Sequence, residues 1–120
     1  MFQKLMVANR GEIACRIIKT ARNLGIKTLA IYSDSDKNSA HVLLADEACY
    51  VGPSEARKSY LNIKKIFEIA VEKKVDAIHP GYGFLSENHV FSKKVNNMGI
   101  IFVGPEWKAI KTMGNKKNAK

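Results

Sequence analysis

The 120-residue chain is poor in cysteine, proline and aromatic side chains: it holds two Cys and three Pro, and Phe, Trp and Tyr make up 8% of it. Cys15 and Cys49 lie far apart, and neither belongs to a CxxC pair. That excludes a disulfide framework and a cysteine zinc knuckle, and leaves two ordinary reduced thiols. No apolar run approaches the ~18 residues that mark a membrane span. The apolar start is short, and Asn9, Arg10 and Glu12 interrupt it before any leader-type cleavage site. A soluble, cytoplasmic protein is therefore expected. Internal repeats and low-complexity tracts are also missing, so a single domain over 1–120 is expected.

Several signatures of chemistry are missing too. The turn ANRGEI, after the first apolar run, lacks GxGxxG, and neither GxxxxGK[ST] nor GxSxG occurs. His41, His79 and His89 have no ligand-like spacing to one another or to carboxylates, so each reads as a structural histidine and no metal site is expected. Arginine is scarce: only Arg10, Arg16, Arg22 and Arg57 accompany the lysines that bring the formal net charge to +9. A balance so basic raises nucleic-acid binding as a reading. The lysines, however, are scattered over expected helix faces, with one cluster at Lys116, Lys117 and Lys120, and no basic stripe is interleaved with aromatics for base stacking. A solvated basic surface is the simpler reading, with neither nucleic acid nor membrane as a partner.

What is present is a globular share of hydrophobic residues, 46%, arranged as short apolar runs alternating with amphipathic ones. Strands are expected at 4–8, 27–32, 47–51, 75–78 and 100–103. Helices are expected at 9–24, 40–45, 62–73, 88–97 and 106–113. Strands alternating with helices mean an α/β fold, a parallel sheet covered on both faces. On a helical wheel Ile13, Ala14, Ile17, Ile18, Ala21 and Leu24 share one arc, which should pack on the sheet. Asn9 is the expected N-cap, with Glu12 completing a capping box, and Gly25 the expected C′ residue.

Ligands approach open parallel sheets at the carboxyl ends of the strands. Three segments should gather there: 9–12, 79–84 and 104–106. The most unusual stretch is HPGYGFLSEN, His79 to Asn88. Gly81 and Gly83 permit close backbone approach, Tyr82 offers a ring and a hydroxyl, and Ser86 is the expected cap of the next helix. By itself the stretch fits a loop at a site and a structural turn equally well. In MGNK, 113–116, Lys116 presents a compact charge suited to a phosphate, although a plain surface lysine fits the spacing better.

Together ANRGEIACRII (8–18), HVLLADEA (41–48), SYLNI (59–63), AIHPGYGFLSEN (77–88) and IIFVGP (100–105) resemble, in order, the biotin carboxylase family. The likeness runs over nearly the whole chain, and HPGYGFLSEN is its most specific part. It implies a Rossmann-like, pre-ATP-grasp domain of an enzyme that uses ATP and bicarbonate to carboxylate biotin, in an acetyl-CoA or other acyl-CoA carboxylase. ATP, Mg2+ and biotin are the cofactors so implied. The implied partners are the rest of the biotin carboxylase, biotin carboxyl carrier protein, a carboxyltransferase and a second copy in a homodimer. Lys116 matches the family's ATP-contacting lysine of MGDK or MGSK, with Asn115 as a departure that removes a negative charge. Tyr82 and Gly83 match the loop facing the carboxylation site, and Arg16 matches a dimer-interface helix. No catalytic residue is carried over. The chain is expected to stop at the start of the ATP-grasp region and to be inactive alone. The alternative is a non-catalytic truncated subunit that binds a full-length partner through its dimer face.

Overall fold

A computed structural model describes residues 3–103. The elements run β1 (Lys4–Val7), α1 (Gly11–Asn23), β2 (Lys27–Ser33), α2 (Ala40–Leu44), β3 (Glu47–Gly52), α3 (Ile63–Glu72), β4 (Ala77–His79), α4 (His89–Asn97) and β5 (Ile101–Phe102). Short 3-10 turns at Asp34–Asp36 and Ala56–Lys58 lie in the connections. The expected helix at 106–113 lies outside the described residues.

The sheet order is β3-β2-β1-β4-β5, and every pairing is parallel. This is the expected α/β, Rossmann-like arrangement. Successive strand residues point to opposite faces, and the core divides accordingly. Leu5, Val7, Ala30 and Ala77 pack with Ala14, Ile17, Ile18 and Ala21 of α1, and Leu44 at the end of α2 joins them. Met6, Leu29, Ile31 and Ile78 pack with Ile66, Ile69 and Ala70 of α3 and with Phe91 and Val95 of α4. The apolar arc read on α1 is therefore the face laid on the sheet, except for Leu24, which lies beyond the end of α1 and is exposed. Strand β1 sits in the middle with both faces covered, and Leu5, Met6 and Val7 are buried.

Two expected caps differ. The N-cap of α1 is Arg10, in extended conformation, and no side chain caps the helix. Asn9 does not form the expected capping box, because its carboxamide reaches across the sheet edge to another loop. Ser86 does not cap α4 either. Asn88 does so, its Oδ1 accepting from the Phe91 amide at 2.8 Å, while the Ser86 amide donates to the Gly83 carbonyl inside the preceding turn. Asn62 caps α3 in the same way, through the Lys65 amide. Among the described residues no helix is long and apolar enough to cross a membrane.

At the end of β3 the chain passes against its own backbone. Gly52 has φ +148°, and a Cβ there would stand 2.2 Å from the Lys58 carbonyl oxygen. Neither atom belongs to a side chain that could swing away. Gly52→Ala is expected to cost about 2–4 kcal/mol of stability, read as a lower urea midpoint with an unchanged slope.

Candidate functional site

Strands β1 and β4 are neighbours, yet the chain leaves β1 toward β2 and leaves β4 toward β5. Such a reversal opens a crevice at the carboxyl ends of the two strands. The loops after β1 and β4 meet there. The Asn9 carboxamide donates to the Pro80 carbonyl at 2.7 Å and the Tyr82 carbonyl at 2.8 Å, and its Oδ1 accepts from the Arg10 amide at 2.8 Å. Gly81 is clasped between the two bonded carbonyls: with φ +69°, a Cβ there would stand 2.6 Å from Asn9 Nδ2. The Gly81 amide in turn donates to His79 Nδ1 at 3.1 Å. His79 is buried beneath this loop.

The neighbouring residue, Arg10, turns to β2. Its Nε and Nη2 bind the two carboxylate oxygens of Asp36 at 2.6 and 2.7 Å. Asp36 is buried, whereas the Arg10 side chain is about half exposed. The Tyr60 hydroxyl donates to the same carboxylate at 2.5 Å and accepts from the Ser33 amide at 3.1 Å. Ser33 and Ser39 hydroxyls add longer contacts of 3.4 Å. The Arg10 hydrogen bonds outweigh desolvation and hold the Asp36 carboxyl well below the usual carboxylate range. The same pairing raises the Arg10 guanidinium further. Burial, followed by the bond to Asp36, pushes the Tyr60 phenol up, so it stays neutral. The Tyr60 ring also lies against Phe84, 5.2 Å between centroids.

Of the residues singled out in the sequence, Tyr82 and Gly83 stand together on this switch-point loop. Tyr82 is 47% exposed at the rim, with its backbone carbonyl bonded to Asn9. Arg16 lies on the exposed face of α1 with Glu12, Lys19 and Asn23. Lys116 lies outside the described residues. Of the three segments expected at one edge, the first two meet through Asn9. The third, 104–106, is outside the described residues, although the Val103 amide bonds the Ile78 carbonyl just before it. Asp36 and Tyr60 escaped the sequence reading. The available signal was position alone: Asp36 follows β2, so topology puts it at the ligand edge.

The arrangement has clear chemical limits. Asp36 is ionised and fully engaged, Tyr60 is held neutral, and neither has the pKa of a general base near neutral pH. Among the described residues no group of three or more His, Cys, Asp or Glu is placed to hold a metal ion. The edge presents the half-exposed Tyr82 side chain, a glycine backbone and the outer flank of a fixed guanidinium.

A family model described as "Biotin carboxylase, N-terminal domain" matches residues 1–110. The propionyl-CoA carboxylase alpha chain of Ruegeria pomeroyi is 53% identical over 120 residues, covering 100% of this chain and 18% of the relative. The mitochondrial methylcrotonoyl-CoA carboxylase subunit alpha of Dictyostelium discoideum is 53% identical over 117 residues, 98% of this chain and 17% of the relative. The chain thus spans less than a fifth of these relatives. Among solved structures, the biotin carboxylase domain of Hydrogenobacter thermophilus 2-oxoglutarate carboxylase, in complex with MgADP, ADP and bicarbonate, aligns with a TM-score of 0.82. That alignment has 49% identity and covers 95% of this chain and 25% of that one.

The pairing of buried Asp36 with the half-exposed Arg10 makes stability pH-dependent. A carboxylate whose folded pKa is depressed stabilises fully above its unfolded value of about 4, and that stabilisation is lost as pH falls through the gap. Asp36→Asn is expected to cost about 2–3 kcal/mol at pH 7. In urea unfolding the difference between wild type and variant should shrink at pH 3; a constant difference would contradict the pairing.

Proposed function

The chain belongs to the biotin carboxylase family, as its N-terminal domain, and on that premise we propose that it forms one wall of an ATP-dependent site that carboxylates biotin. The observation that carries this reading is the Tyr82–Gly83 loop, held at the carboxyl edge of the sheet where such folds take ligands. ATP and bicarbonate are the proposed co-substrates, with biotin on a carrier protein as acceptor and a carboxyltransferase as the consuming partner. The solved relative with MgADP and bicarbonate supports the first two. The acyl-CoA carboxylase relatives support an acyl-CoA carboxylase as the setting.

Within this scheme Tyr82 and Gly83 line the carboxylation site, and Lys116 contacts the nucleotide. The described residues do not fit a magnesium site, since no acidic cluster is placed to hold one. Metal binding and proton transfer are therefore assigned to parts of the enzyme outside them. Arg16 belongs to the proposed homodimer face, supported by the exposed, mixed-charge side of α1.

It follows that the purified 120-residue chain should give no ATP- and bicarbonate-dependent carboxylation of free biotin. Turnover by the chain alone would overturn the one-wall reading. A second reading, a non-catalytic subunit seated on an intact partner, is favoured by the same exposed α1 face. Mixed with an intact biotin carboxylase subunit, the chain should co-purify, and Arg16→Glu should abolish this; co-purification unaffected by that change would exclude the face.

A further inference from the structure

We infer that Asn9 is a positioning residue for the Tyr82–Gly83 loop, and that the buried Asp36 carboxylate is the loop's second anchor, acting through Tyr60 and Phe84. The inference rests on the proposal that this loop lines the carboxylation site.

The loop needs anchoring because its backbone is unusual. Gly83 has φ +69° and Phe84, a bulky residue, has φ +43°. A non-glycine residue in the left-handed region persists only where its surroundings over-determine it. Two sets of contacts do so from opposite ends. At the start of the loop Asn9 spends both carboxamide hydrogens on the Pro80 and Tyr82 carbonyls. At its end the Phe84 ring lies on Tyr60, whose hydroxyl is fixed by Asp36. The two ends are joined, because Asp36 is gripped by Arg10, the residue after Asn9. Asn9, Arg10, Asp36, Tyr60 and Phe84 thus make a closed circuit around the loop.

Asn9 is 2% exposed, and both its amide hydrogens and its carbonyl oxygen are engaged within the protein. It has no hydrogen-bonding hydrogen left for a ligand and acts through the loop. Tyr82 has its backbone carbonyl tied down, and its side chain is 47% exposed. A projecting aromatic group on a fixed backbone loses little freedom when it meets a substrate, which is the advantage of preorganisation.

The test has two arms. In the 15N-labelled chain, Asn9→Asp keeps the shape but sets carboxylate oxygens against two carbonyls. Amide exchange over 82–85 should accelerate about tenfold, with shifted Tyr82 and Gly83 resonances and unchanged exchange at Ile66 and Val95. Tyr60→Phe keeps the ring on Phe84 and removes only the hydroxyl, and should accelerate the same segment about threefold. It serves as the test of the second anchor should Asn9→Asp fold poorly. Unchanged loop amides, or acceleration spread evenly over the core, would overturn the inference.

In the second arm a biotin carboxylase assembled with this chain as its first domain is assayed. Asn9→Asp and Tyr82→Ala should both lower kcat about tenfold or more with little change in the KM for ATP. A moved loop with undiminished turnover in both variants would leave the anchoring intact and overturn the role of the loop in carboxylation.

Discussion

A carboxylate without water must find its compensation inside the protein, and Asp36 is such a group. Its two oxygens take a bidentate guanidinium from Arg10 and a phenol from Tyr60, with Ser33 and Ser39 hydroxyls farther off. Removing one partner from a buried ion pair costs more than the pair contributes, because the remaining charge is stranded. The demand therefore fixes geometry more than it adds stability. It fixes the loop after β1, the turn after β2 and the approach to α3 relative to one another. Through the Tyr60 ring it extends to Phe84 in the loop after β4. Four segments that meet nowhere in sequence are tied together at one edge of the sheet.

The opposite edge is built with the same chemistry and, among the described residues, carries no comparable loop. The Asp46 carboxylate accepts from the Thr28 amide and hydroxyl at the start of β2. The Asp76 carboxylate accepts from the Gln3 and Lys4 amides at the start of β1. There each carboxylate satisfies strand amides that would otherwise lack partners. At the carboxyl edge the bonds run between loops. They shape a surface beyond closing the ladder, which is why the two ends differ in what they present to a ligand.

Most of the fold was legible because it rests on periodicity. The apolar arc of α1 is seen from spacing alone, and the alternation of runs dictates a parallel sheet with covered faces. What was misread came from residues whose short-range and long-range uses look alike. Asn9 suits a helix cap because a short amide reaches nearby backbone groups, and the same reach lets it clasp Pro80 and Tyr82, more than seventy positions away. Ser86 and Asn88 both suit a cap; the turn closing from Gly83 to Ser86 takes the first and leaves the second. Asp36 escaped notice because its partner Tyr60 is 24 residues away and nothing local marks the pair. The Tyr82 loop was legible as unusual, but the residues that hold it were not.

The same contrast limits what the ionisable groups at this edge can do. A group that serves as acid or base needs a proton it can give up near working pH. The ionisable groups at this edge are arranged for the reverse: Asp36 is driven further into its charged form, Arg10 further into its own, and Tyr60 is kept neutral. Each shift stiffens the circuit and removes its member from proton transfer. An edge stabilised in this way holds its loop in one place, while its ionisable members stay out of proton exchange near neutral pH.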